Sequence, residues 1–183
     1  MQAGPFIFNI LPQIVFWTED EQGNLLETLY VTGAESKGFR HAGKKEKGAL
    51  FYSECFPLWA QKMTTAGRDL PSDENPYSDA ITSATPSSSF ILETILPDSA
   101  QRFIIRAEIN QSDDVNETYG KDSNDWAGQP SLLYEVRIPL SDFNKPYNME
   151  LLGNGGKIGD KAEIYKDLSG FTTALDQVTS ITV

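Results

Sequence analysis

A chain of 183 residues with 39% hydrophobic and 22% charged side chains is long enough to bury a sizeable core, and it has no run of about 18 apolar residues that would cross a bilayer. Its 26 acidic and 15 basic residues leave a net charge of -11, which repels polyanions and argues against nucleic-acid binding. One cysteine and one histidine exclude an intrachain disulfide, a Cys/His zinc cage and a Cys-Cys redox pair.

Met1 to Trp17 is apolar but carries no Lys or Arg ahead of its hydrophobic stretch, and Pro5, Asn9 and Pro12 interrupt it. It does not read as a signal peptide, and a mature exported protein and a cytoplasmic one look alike here. Gln13 to Thr18 and Leu25 to Thr32 are aromatic and β-branched, joined by the polar link Glu19 to Asn24 with Gly23, and predict a hairpin. Leu25, Leu29 and Val31 share one parity, which Glu27 breaks. The long loop Gly33 to Ser53 gathers Arg40, His41, Lys44, Lys45 and Lys47 in an otherwise acidic chain. Glu54 to Met63 predicts the one helix, with Phe56, Trp59, Ala60 and Met63 on one face, Ser53 as its cap and Pro57 in its first turn. Cys55, between Glu54 and Phe56, reads as buried packing, as Trp17 and Trp59 read as core.

Phe90 to Leu96 predicts a strand joined to Phe103 across the turn-rich link Pro97 to Gln101. In the next strand Phe103, Ile105, Ala107 and Ile109 alternate with Ile104, Arg106, Glu108 and Asn110. Leu132, Tyr134, Val136, Ile138 and Leu140 alternate with Leu133, Glu135 and Arg137. Period two predicts one buried and one wet face for each. Between them a second long loop, Ser112 to Gln129, holds Asp113, Asp114, Glu117, Asp122 and Asp125. The tail offers short strands at Met149 to Leu152, Ala162 to Tyr165 and Val178 to Val183, with a glycine-rich turn at Gly153 to Gly156. About eight strands with one helix predict an all-β chain in which sheet packs on sheet. The expected fold is an immunoglobulin-like antiparallel β-sandwich with one short helix, a single domain over residues 1–183.

The acidic loop supplies oxygens for calcium, but its spacing lacks the central glycine and terminal Glu of the twelve-residue calcium loop, and a solvated face accounts for it without further support. Asn116, Glu117 and Thr118 form a glycosylation sequon that matters only in a eukaryotic secretory setting. The basic loop suits an anionic head group or an acidic partner, or is a solvated insertion. His41 has no Ser, Cys or Asp at a telling spacing, so a hydrolytic enzyme has no nucleophile constellation behind it.

Asp79, Ala80, Ile81, Thr82, Ser83, Ala84, Thr85, Pro86 is more specific. Thr85 precedes a proline and is biased towards extended backbone, and its small neighbours leave the hydroxyl open to another enzyme's active site. A Ser/Thr-rich turn bonding its own backbone is the structural alternative. The segment resembles the acceptor signature of proteins that carry covalent flavin mononucleotide (FMN). By position, Thr85 would accept the phosphoester and Asp79 would be the leading acid. Thr82 falls on the hydroxyl position, and Ser83 stands where glycine is most usual.

A wider resemblance runs through Pro12 to Thr32, Phe56 to Trp59, Asp79 to Pro86, Gly128 to Tyr134 and Asp167 to Val183. These stretches resemble the predicted periplasmic proteins of domain-of-unknown-function family 2271. The resemblance implies a bacterial, periplasmic or extracellular immunoglobulin-like sandwich, associated with flavin transferases and with PepSY-type membrane redox proteins. It brings no catalytic residues. The expected function is a non-enzymatic module that binds or positions a partner, with an electron carrier bearing FMN on Thr85 as the alternative.

Overall fold

The computed structural model of the chain describes residues 11–32, 55–71, 75, 81–83, 88–93, 102–120, 128–139, 141 and 145–183. Its elements in order are β1 (Gln13–Glu19), β2 (Leu25–Thr32), α1 (Pro57–Thr65), β3 (Ile81–Ser83), β4 (Arg102–Asn110), β5 (Leu132–Pro139), β6 (Glu150–Asn154) and a 3-10 turn at Thr173–Asp176. The strands form one six-stranded sheet in the order β3-β2-β1-β4-β5-β6. All neighbours are antiparallel except β2 and β3. The protein is therefore all-β and sandwich-like with a single short α-helix among its described residues.

The β1–β2 hairpin closes as the sequence predicts. The Asp20 carboxylate accepts hydrogen bonds from Gln22 N, Asn24 N and Asn24 Nδ2, and Gly23 takes the positive φ of 82° that the turn requires. The Asn24 side-chain bond, with these backbone amides, holds the Asp20 carboxyl below its ordinary value. Elsewhere the pairing differs from expectation. Residues 90–93 form no strand, because β4 is already bonded to β1 on one edge and to β5 on the other. Residues 94–96 lie outside the described residues. Of the predicted tail strands, Met149 to Leu152 stands as β6, which Gly153 and Asn154 extend rather than turn, while Ala162 to Tyr165 and Val178 to Val183 shrink to single bridges, Asn154 to Tyr165 and Asn148 to Thr182.

Both faces of the sheet are covered. On one, Phe16, Tyr30, Ala107 and Tyr134 pack with Tyr119, Met149, Phe171 and Ala174 from the segments after β4 and around β6. On the other, Val15, Trp17, Val31 and Leu133 pack against Cys55, Phe56 and the Trp59 and Met63 face of α1. Trp17, Trp59 and Cys55 are fully buried there, as their sequence context predicts.

The helix overturns one expectation. On the parity of β4 expected to be wet, Glu108 meets the first turn of α1 and is 0% exposed, and Asn110, which donates to Gln129 O, is 1% exposed. Burial of that face requires its polar groups to be paired. Glu19, also fully buried, accepts from Trp17 Nε1 at 2.8 Å, pairs with Lys62 at 3.3 Å and accepts from Arg106 Nε at 3.0 Å. Arg106 reaches on to Glu135 at 2.7 Å, and Arg137 meets the other Glu135 oxygen at 2.8 Å. The ladder ties β1, β4, β5 and α1 together.

Pro57 opens α1 with a preset φ, and the capping position is Phe56, which has no side-chain cap bond. The predicted cap, Ser53, lies outside the described residues. Glu108 supplies the acceptor from the sheet: Trp59 N donates to Oε2 at 2.9 Å and Leu58 N to Oε1 at 3.4 Å, while the Ser131 hydroxyl donates to Oε1 at 2.7 Å. Gly155 allows this approach, since a Cβ there would sit 2.5 Å from Ser131 Oγ and 2.7 Å from Pro57 Cγ.

Two outcomes follow for urea unfolding. Arg106→Ala removes the closer cation from a buried carboxylate and is expected to cost about 3 kcal/mol; a loss under about 0.5 kcal/mol would show the ladder to be passive. Gly155→Ala is expected to cost about 1–3 kcal/mol through overpacking against the first turn of α1, and no loss would contradict that close approach.

Candidate functional site at the loop-bearing end of the sheet

Strand direction decides where the loops emerge. Because β1 is antiparallel to both β2 and β4, the start of β1 lies beside the ends of β2 and β4. Thr32 seals that corner: its hydroxyl accepts from Ile14 N at 2.7 Å and donates to Ile14 O at 3.0 Å. Gln13 pairs with Asn110, Ile109 with Leu132, and Leu132 with Asn154, so β5 starts and β6 ends on the same side. The parallel β3 brings Ser83 level with Thr32. The chain therefore leaves this one end after Thr32, after Ser83 and after Asn110, and returns to it at Leu132.

Those exits root the segments singled out by sequence. The basic loop with Arg40, His41, Lys44, Lys45 and Lys47 starts from Thr32, though those five residues lie outside the described residues. The acidic loop spans from Asn110 to Leu132. Within the flavin-like motif, Ile81–Ser83 is strand rather than loop, with Thr82 opposite Val31 and Ser83 opposite Thr32. Asp79 and Thr85 lie outside the described residues. Parallel pairing needs a long crossover, and the 33–80 connection containing α1 provides it. The chain then returns over the sheet: Phe90 packs on Tyr30 at 5.8 Å between ring centroids, and Tyr30 is the partner of Ile81. Phe90 is 41% and Ile91 88% exposed, an apolar surface beside the motif strand. Reading 90–96 as a strand hid it.

The first half of the acidic loop is fastened rather than merely solvated. Asn116 Oδ1 accepts from Thr118 N at 2.9 Å and Tyr119 N at 2.7 Å, and its Nδ2 donates to Gly170 O and Thr172 Oγ1, both at 3.0 Å. The sequon nitrogen is thus engaged inside the protein. Asp114 accepts from Gln129 Nε2 at 2.8 Å, from the Thr173 hydroxyl, and from Gln177 Nε2 at 3.3 Å. Gln129, 1% exposed, also accepts from Thr172 N at 2.7 Å. Tyr119 stacks on Phe171 at 5.1 Å with Lys157 over its ring at 5.4 Å. Burial raises the Tyr119 hydroxyl above its ordinary value, and Asp167 and Asp160 add to the shift.

Among the described residues no three His, Cys, Asp or Glu side chains are arranged to hold a metal ion, and no helix is long and apolar enough to cross a membrane. Of the acidic-loop residues expected to offer oxygens to calcium, Asp114 spends its carboxylate on Gln129, Thr173 and Gln177, while Asp122 and Asp125 lie outside the described residues. The Gln129 network had no sequence signal, since it joins residues more than 40 positions apart. No family model, curated protein or solved structure matches this chain.

Gln129→Ala removes the partner of Asp114, Thr172 and Thr173 together. The expected cost is about 1–3 kcal/mol, with faster hydrogen exchange confined to residues around 170–177. Unchanged exchange in that segment would show that Gln129 does not fasten it.

Proposed function

We propose that the chain is a non-enzymatic, extracytoplasmic module that meets a partner with the loop-bearing end of its sheet. The observation that carries this reading is the convergence of three roots, after Thr32, Ser83 and Asn110, at one end of a rigid scaffold. A sheet that fixes its strands and sends its longest, most charged connections from one end has the organisation of a recognition surface. Opposite charge on the two loops favours a partner with a patterned polar surface. The export assignment draws on the likeness to family 2271, as does a flavin transferase or a PepSY-type membrane redox protein as partner.

A photo-crosslinking residue at Glu117 or Ile91, both exposed, tests this against one at Gln22 in the opposite turn. In cells of the source organism, adducts are expected from the first two positions and not from Gln22. Adducts from Gln22 alone, or from none, would overturn the reading.

A second reading follows from the place of β3. Thr85 lies two residues past Ser83, whose backbone is held at the outermost strand, so a transferase could approach that edge. In this reading a phosphoester on the Thr85 hydroxyl tethers FMN, and the flavin supplies redox chemistry that the side chains do not. Asp79, Thr82 and Ser83 would form the recognised signature. After co-expression with a flavin transferase, the native protein is expected to gain the flavin mass and visible absorption, and Thr85→Ala neither. A colourless native protein of unmodified mass would remove this reading.

A further inference from the structure

Glu108 sits mid-sheet, opposite Val15 of β1 and Leu133 of β5, wholly buried beneath the first turn of α1. Its carboxylate faces donors from two other elements: Trp59 N at 2.9 Å and Leu58 N at 3.4 Å from the helix, and the Ser131 hydroxyl at 2.7 Å from the residue before β5. Gly155 closes the remaining side, where a Cβ would stand 3.0 Å from Oε1. The other described ion pairs on this face are made among Glu19, Lys62, Arg106, Glu135 and Arg137. Glu19 of β1 holds Lys62 of α1 and Arg106 of β4, and Glu135 of β5 holds Arg106 and Arg137. Glu150 of β6, the partner of Glu135, is exposed, and the Cys55 thiol ahead of α1 lies 3.8 Å from Ser112 Oγ. Among the described residues no cation pairs with Glu108.

We propose that Glu108 is a proton-operated latch on α1: as the neutral acid it holds the first helical turn to the sheet, and its ionisation loosens that turn. The neutral form fits the site. A proton on Oε1 donates to Ser131 Oγ, whose own hydrogen rotates away, while Oε2 still accepts from Trp59 N. Only the long Leu58 contact is weakened. The ionised form keeps its donors but has no countercharge among the described residues, and the end of a nine-residue helix offers a partial charge alone. Burial therefore outweighs the opposing bonds from Ser131, Trp59 and Leu58 and pushes the carboxyl from 4.5 to about 7.

The sign follows from linkage. The docked state binds the proton more tightly than the opened state, in which the carboxyl returns to its ordinary value of 4.5. The holding effect is complete below that value, declines as pH rises towards about 7, and is level above it. Lifting the first turn lets water reach the carboxylate, and it uncovers Cys55, the only cysteine, two residues before Pro57.

Cys55 is the reporter. Labelling by a dipyridyl disulfide, which reacts in acid as well as base, is followed in the full chain and in Glu108→Gln, whose amide donates to Ser131 and accepts from Trp59 N at every pH. Taking the rate ratio of native to variant at each pH cancels the ionisation of the thiol. That ratio is expected to rise about tenfold or more between about pH 5 and pH 7.5 and then to level. Ser131→Ala, which deprives the ionised form of a donor, is expected to raise the plateau further. A flat ratio, or one that falls with pH because the charged acid is the better cap, would overturn the proposal. Should Glu108→Gln fold poorly, hydrogen exchange of native α1 amides relative to those of β5 gives the same reading: a climb over that window supports the latch, a level line refutes it.

Discussion

The arrangement of this protein depends on burying a charged face of the sheet under a helix. Two acids, Glu19 and Glu108, stand on that face with no exposure to water. A carboxyl in such a place is tolerated only where geometry supplies partners. The two acids solve this differently. Glu19 is met by side-chain cations from α1 and β4, whereas Glu108 is met by backbone amides, a hydroxyl and the end of a helix. Both solutions require α1 to sit where it does. The helix is thus positioned by polar bonds at its two ends, from Trp59 N to Glu108 and from Lys62 to Glu19, with Phe56, Trp59 and Met63 filling the space between.

Periodicity revealed most strands and misread one face. The hairpin, β4 and β5 have alternating or β-branched stretches long enough that a one-residue slip would expose every core side chain, so their position is readable. What alternation does not encode is the layer above. Ile104, Arg106, Glu108 and Asn110 carry the composition of a wet face, yet α1 over Glu108, the acids beside Arg106 and the Gln129 carbonyl at Asn110 turn it inward. Within that set Ile104 was the discordant residue, and Cys55 and Phe56 next to the helix marked apolar surface needing a cover. Phe90 and Ile91 show the reverse error. Their β propensity suggests a strand, yet both edges of β4 are taken, and a propensity without a free edge has nothing to pair with.

The candidate site was legible as segments and not as a site. The basic loop, the acidic loop and the Asp79 to Pro86 motif each stand out by composition. That the chain leaves the sheet at one end after Thr32, Ser83 and Asn110 is a property of topology: two antiparallel pairings about β1 and one parallel pairing of β3 with β2. The parallel pair was unreadable, because three residues carry too little pattern and the crossover between them hides the relation. The contacts that hold the acidic loop were equally hidden, for they join Asp114 and Asn116 to residues around 170–177 through side-chain amides that in sequence look no different from solvated ones.

Topology also links the latch to the loop-bearing end. Helix α1 lies within the connection that carries the chain from the end of β2 to the start of β3. β3 itself is held by only three paired positions on the outside of the sheet, where few hydrogen bonds resist displacement. A short strand of this kind takes part of its definition from whatever anchors the crossover feeding it. The bond from Trp59 N to Glu108 is such an anchor, and it fixes the helix to a central strand of the sheet rather than to another loop. A change in the proton on Glu108 thus bears on the same connection that delivers Ile81–Ser83 to the edge, while the β1–β4–β5 ladder of ion pairs keeps the rest of the scaffold in register. Stability is concentrated at the centre, and the freedom to adjust is left at the edge where the motif stands.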